Sequence, residues 1–160
     1  MAGFPMEVVD ILHARFKELL GTDMEIVDRS VRPTDPSRTL GIFPVDWNPV
    51  QESYEISRGN FEPTLGRYTY RIQVLVKHTN EEEGRALYTS DTKIVKAILY
   101  RDATLVQRLT SIQETSFGSI ERAKRWGVRH QRFLNNELQG QFIFLATTEV
   151  WLEVESVPQG

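Results

Sequence analysis

Apolar residues recur at helical spacing in EVVDILHARFKELL, where Val9, Leu12, Phe16 and Leu19 form one stripe. A helix with one buried face is therefore predicted near the N-terminus. Pro5 at its start lacks only a donor that the first turn does not need, and Gly21 marks the stop. DMEIVDRSVR then reads as a short strand. In GRYTYRIQVLVKHT the period changes to two: Tyr68, Tyr70, Ile72, Val74 and Val76 alternate with Thr69, Arg71, Gln73 and Lys77. This is a half-buried strand. NEEEGRALYTSDTKIVKAILYRD returns to the helical period, with Asn80 and Glu83 in capping-box spacing and three acids in the first turn, where they meet the positive end of the helix dipole. Its inward stripe is Leu87, Asp91, Ile94, Val95 and Ile98. Asp91 interrupts that stripe, so a restart at Ser90 is the alternative.

The closing QGQFIFLATTEVWLEVES reads as one strand far longer than the common span of about 5 to 6 residues. Phe142, Phe144, Ala146, Thr148, Val150, Leu152 and Val154 make one face apolar or small throughout. The other face begins with Ile143 and Leu145 and continues as Thr147, Glu149, Trp151, Glu153 and Glu155. The first half is expected to be buried on both faces, and the second to expose one, so its far end calls for a pairing partner. Between Arg32 and Gly66 lie five of the seven prolines: Pro33, Pro36, Pro44, Pro49 and Pro63. Proline removes a ladder donor, so only edge strands are expected there, LGIFPVDW and a shorter ESYEIS. TLVQRLTSIQETSFGSIER is predicted as strand, and residues 123–140 carry no decisive period.

The element order is helix, strand, proline-rich extension, long strand, helix, then further strands. It predicts an α+β fold: a mainly antiparallel sheet with two helices packed on one face, an extended proline-rich loop, and room for a β-arm. A chain of 160 residues suits a single domain spanning 1–160 and buries roughly 68 to 70% of its unfolded surface at this size. A 40% hydrophobic, 26% charged composition fits an ordinary globular protein, and a formal charge of -3 does not fit a chain built to coat nucleic acid or an anionic membrane. The lack of cysteine removes disulfides, thiolate metal sites and cysteine nucleophiles together. The N-terminus lacks the pattern of a signal peptide and no apolar run reaches membrane length, so synthesis in the cytoplasm is expected.

No catalytic pattern stands out. The ten glycines form neither GxGxxG nor a P-loop, and His13, His78 and His130 have no HxxxH or HExxH spacing. His78 beside Glu81, Glu82 and Glu83 has the atoms for a metal site, but a dipole-complementary helix start explains the acids better. Glu149, Glu153 and Glu155 share a strand face, which is more often a solvated or partner-facing row than an acid/base pair. No enzyme, cofactor or metal is expected. Between Arg122 and Arg132 the chain places Arg122, Lys124, Arg125, Arg129 and Arg132 with Trp126 and His130 and no acid. One reading is contact with DNA phosphates, with Trp126 free to stack. The other, favoured by the near-neutral total, is an arm whose arginines meet acidic rows on a neighbouring subunit. Trp47, Trp126 and Trp151 all fall on nominally exposed positions, as expected of a chain that assembles.

As an ordered set, EVVDILHARFKELL, GIFPVDW, YTYRIQVLVKHT, KIVKAILY and RWGVRHQRFLNNELQGQFIFLATTEVWLEVE resemble the tail terminator proteins of long-tailed bacteriophages, in particular those of phages infecting actinobacteria. The likeness spans nearly the whole chain but includes no motif to which an individual functional residue attaches. It implies a virion protein of the tail and neck, assembled in the host cytoplasm. There a closed ring, a hexamer in the family, ends growth of the tail tube and offers a surface to the head. Partners would be further copies of the chain, the tail tube protein and head–tail connector proteins, with genomic DNA passing through the lumen and no membrane involved. Trp47, Trp151 and the residues from Arg122 to Arg132 would be subunit or tube contacts. A head–tail connector or stopper is the nearest alternative. A small DNA-binding protein acting through residues 122–132 is the alternative from another class.

Overall fold

The computed structural model describes residues 4–49, 65–116, 119–138 and 140–158. Helix α1, Phe4–Leu20, buries Val8, Val9, Leu12, Phe16 and Leu20. The inward stripe thus ends at Leu20, four residues after Phe16, while Leu19 is 42% exposed. Strand β1, Glu25–Val27, runs parallel to β2, Arg38–Pro49. The His13 ring on α1, 3.0 Å from the Ile26 carbonyl, ties helix to strand. Strand β2 is paired with β1 only from Thr39 to Gly41, so Pro44 and Pro49 fall where its outer edge has no strand partner among the described residues. That is where proline costs a strand least. ESYEIS lies outside the described residues.

Strand β3, Leu65–His78, leads into α2, Glu81–Arg101. Asn80 caps α2, its side chain accepting from the Glu83 backbone N–H at 3.0 Å. The helix is continuous through Ser90. Asp91 stays in the buried stripe, 2% exposed, because Arg38 reaches it. The segment after Arg101, predicted as strand, instead begins with a third helix, α3, Ala103–Thr110. Asp102 closes α2 and opens α3, accepting from the Thr104 N–H, and Leu105 and Leu109 turn one short face inward. Then follow β4, Gln113–Ser116, β5, Ser119–Leu138, and β6, Gln141–Pro158.

The six strands lie in the order β1-β2-β3-β6-β5-β4, antiparallel except for β1 with β2. The partner called for by the long last strand is therefore found within the chain. Strand β3 pairs one edge of β6 from Phe142 to Glu155, and β5 pairs the other from Gln141 to Pro158. Both edges of its far half, as far as Glu155, are thus occupied within one molecule, with no strand edge left there for another copy. Leu40 and Ile42, then Tyr70, Ile72, Val74 and Val76, then Phe144, Ala146, Val150, Leu152 and Val154 share a face and form one core with the three helices. Roughly 1.5 to 3 kcal/mol for each large side chain removed from water is the driving term. Part of the opposite face is crossed by residues 28–37, where the Gln73 side chain accepts from Ser30 Oγ at 2.9 Å and from the Val31 N–H at 3.0 Å.

Candidate functional site

The face opposite the helices carries the acids of β6, and the register supplies their partners. Glu149, Glu153 and Glu155 stand across from Arg71, Arg67 and Leu65 on β3, and across from His130, Arg125 and Arg122 on β5. An acidic central strand thus runs between two cationic ones. Arg71 meets Glu149 at 3.1 Å, and Arg67 meets Glu153 at 2.8 Å, with Glu153 only 7% exposed. The row that looked solvated or partner-facing in sequence is a cross-strand ladder, the arrangement in which opposite charges stabilise neighbouring strands.

By register, the basic block lies along the other side of these acids. Arg122 and Arg125 occupy positions opposite Glu155 and Glu153, and Arg132 stands opposite Thr147. Lys124 and Arg129 are the extra residues at two register shifts in β5, between Ala123 and Arg125 and between Val128 and His130. Both are β-bulges, which twist a strand and re-aim its neighbours. At the register positions that share a face with Glu149, Glu153 and Glu155, five arginines, at 67, 71, 122, 125 and 132, outnumber the three acids.

The three tryptophans have different environments. Trp151 lies over Gly127, and the Arg67 guanidinium carbon sits 4.4 Å from its ring centroid, a cation–π contact. Trp126 is on the helix side, where its indole N–H donates to the Leu99 carbonyl at 3.3 Å and its ring joins the core. It also walls an apolar cavity of about 320 Å³ with Tyr100, Val106, Leu109 and Val128. Both are satisfied by their own chain, which corrects the expectation of three exposed indoles. Trp47 alone among them stays open, 40% exposed beside Val45 on the outer edge of β2, its ring tilted against Tyr68 at 6.2 Å and packed over Gly66.

Nothing in the His78 region assembles a metal set. The ring nitrogen Nδ1 accepts from the Asn80 N–H at 2.9 Å, Glu83 lies 3.4 Å from Nε2, and Glu81 is paired with Arg85. Among the described residues no three His, Cys, Asp or Glu side chains converge. Several titrating groups are displaced by their surroundings, two aspartates and a tyrosine among them. Arg29 holds the Asp35 carboxyl down at about 2, Arg15 holds Asp102 below the usual carboxylate range, and burial pushes the Tyr88 hydroxyl up to about 12. The ion pairs lock elements together, Arg15 on α1 to Asp102 between α2 and α3, and Arg38 on β2 to Asp91 on α2.

Sequence periodicity did not mark two surface patches on the helices. Lys93, Lys96, Ala97 and Tyr100 are exposed on α2, Tyr100 at 56%, and Glu7, Asp10 and Ala14 are exposed on α1 beside half-buried Ile11. Their signal was the outward-facing stripe of each helix. No protein-family model matches the sequence, and no curated protein matches it.

Proposed function

We propose that this chain is a virion structural protein of the tail-terminator kind, forming a ring at the head-proximal end of a phage tail tube, where it stops tube growth and receives the head. A tube grows through heterologous contacts that repeat without closing, and it ends only when something binds the last ring and offers no further copy of that surface. Such a task needs complementary surfaces rather than a reacting site. The observation that carries the reading is the distribution of large exposed apolar side chains among the described residues, Trp47 and Val45 on β2 and Leu19, Ile94, Tyr100 and Val106 on the helices. A subunit that touches two kinds of neighbour needs apolar contacts on separate elements, and these side chains stand on both the sheet and the helices. The fold class and the ordered sequence likeness support it.

The DNA-binding reading keeps one observation in its favour, the surplus of arginine along β3 and β5. Glu149 and Glu153 already engage Arg71 and Arg67, which lowers the field available to a phosphate backbone. In the ring reading residues 122–132 belong to subunit or tube contacts, and the lumen, where the genome passes, is the alternative place for the strip.

The test adds the purified protein to polymerising tail tube protein and scores tube length and end structure by electron microscopy. Shortened tubes carrying a ring at one end are the expected result. Tubes of unchanged length with bare ends overturn the reading, and duplex binding that falls steeply with salt would put the DNA-binding protein in its place.

A further inference from the structure

We propose that copies of this chain join head to tail through α2 of one copy and α1 of the next, laid side by side and parallel; this rests on the ring reading and names its subunit contact. On α2 the exposed stripe is Lys93, Lys96, Ala97 and Tyr100, and on α1 it is Glu7, Asp10, Ile11 and Ala14. Both follow i, i+3, i+4, i+7, the seam spacing by which two helices pack along their length. Aligned in parallel, the stripes match position by position. Lys93 meets Glu7 and Lys96 meets Asp10. Ala97, the small residue, meets Ile11, and the protruding Tyr100 meets Ala14.

Charge complementarity identifies the occupant as a second copy. Among the described residues none of Glu7, Asp10, Lys93 and Lys96 takes part in an ion pair, whereas their neighbours Arg15, Glu18, Arg85 and Arg108 all do. Arg101, next in register, faces Arg15, whose charge Asp102 and Glu18 already offset. The α1 stripe floors an open groove of about 440 Å³ with Arg108 at its side, so a tyrosine ring entering it finds Ile11 and Ala14 below and a guanidinium against its face. Within one molecule the two stripes do not meet: α1 packs over β1 and β2 and against α3, and α2 over β3, β6 and β5. A contact between two different patches is heterologous, and repeating it closes a ring or extends a filament.

The experiment uses full-length protein and measures mass by analytical ultracentrifugation at several hundred micromolar. Wild-type protein is expected as a closed oligomer larger than a dimer. Lys93→Glu/Lys96→Glu and Glu7→Lys/Asp10→Lys each place like charges across the seam and weaken association by about tenfold or more. Mixed in equal amounts, the two variants restore every junction of an alternating ring with an even number of subunits, because the two altered stripes meet at one junction and the two unaltered stripes at the next. All four positions are exposed, and an unchanged thermal transition checks that both variants fold. A monomeric wild-type protein, a dimer and nothing larger, a variant that assembles like wild type, or a mixture that stays dissociated overturns the contact. Assembly through this seam with tail tubes left uncapped defeats the proposed function alone. Tube-capping rings indifferent to both reversals defeat the contact alone.

Discussion

The Arg38 guanidinium on β2 grips the Asp91 carboxylate on α2 through two charged hydrogen bonds, Nε to Oδ2 at 3.0 Å and Nη2 to Oδ1 at 2.5 Å. Asp91 sits in the middle of the apolar stripe of α2, and Arg38 reaches it from a position opposite Val76. The pair fixes where the helix rests on the sheet. Removing one member leaves the other half-buried and uncompensated, so Asp91→Ala is expected to cost about 3 kcal/mol, read from urea unfolding. Replacing both, as Arg38→Met with Asp91→Leu, is expected to stay within about 1 kcal/mol of wild type, because an apolar pair of similar volume removes both desolvation penalties. A double variant as unstable as the single one would show that the pair positions the helix in a way packing cannot.

Acid should loosen the fold through two aspartates. Asp35 accepts from Arg29 and from the Arg32 N–H and titrates at about 2, and Arg15 holds Asp102 below its ordinary value. The unfolded carboxyls take up protons near 3.9. A folded value below the unfolded one gives stability that is complete above about pH 4 and drains as the pH falls toward about 2. Urea midpoints measured from pH 7 down to pH 2 should fall steeply over that window. In Asp35→Asn/Asp102→Asn the slope should flatten, with the gap to wild type widest at neutral pH. A gap that stays constant across the series would assign the acid sensitivity to other groups.

Much of the fold was legible because α1, α2, β3 and β6 each carry one strong period. What was missed has identifiable causes. Helix α3 shows only Leu105 and Leu109 at helical spacing, while Thr104, Val106 and Thr110 are β-branched residues that favour strand. Strand β5 carried no readable alternation because the bulges at Lys124 and Arg129 each shift the phase by one residue, so polar and apolar positions change faces twice within twenty residues. The acids of β6 looked solvated because Arg67 and Arg71, which meet Glu153 and Glu149, lie 86 and 78 residues away. Trp47 was legible as exposed. Trp126 and Trp151 were not legible as covered, since Leu99 and Arg67, which satisfy them, lie 27 and 84 residues away.

The Trp151 indole depends on a residue with no side chain. A Cβ at Gly127 would lie 2.5 Å from Trp151 Cζ2, so Gly127→Ala must drive the ring off the strand and away from Arg67. A loss of about 1–3 kcal/mol is expected from this overpacking, with a changed near-ultraviolet circular dichroism signal. Arg67→Met, which keeps the stem but takes the cation away from both the indole and the buried Glu153 carboxylate, should cost about 3 kcal/mol. Gly140→Ala is the control. Gly140 has φ 77° with open space around it, so the substitution strains the backbone by about 1–2 kcal/mol but leaves the aromatic signal alone. If both alanine variants change the spectrum alike, the glycine–indole contact is not what holds Trp151.

The segment crossing the open face of the sheet depends on Gly41 in a similar way. A Cβ there would run into the Arg29 carbonyl and press on Val31, because the 28–37 segment lies directly on β2 at this point. The segment is otherwise held by polar contacts: Gln73 accepts from Ser30 and Val31, Lys77 Nζ donates to the Pro33 carbonyl at 2.9 Å, and Arg29 pairs with Asp35. Polar contacts at a surface give way more readily than the core beneath, so Gly41→Ala should lift the segment while the sheet stays paired. Hydrogen exchange at the Val31 amide is expected to speed up more than tenfold beyond the change at the β6 amides, whose exchange follows the global transition, itself lowered by about 1–3 kcal/mol. Uniform acceleration across Val31 and β6 would mean that the segment and the sheet open as one unit, and that Gly41 matters to the whole fold rather than to the crossing.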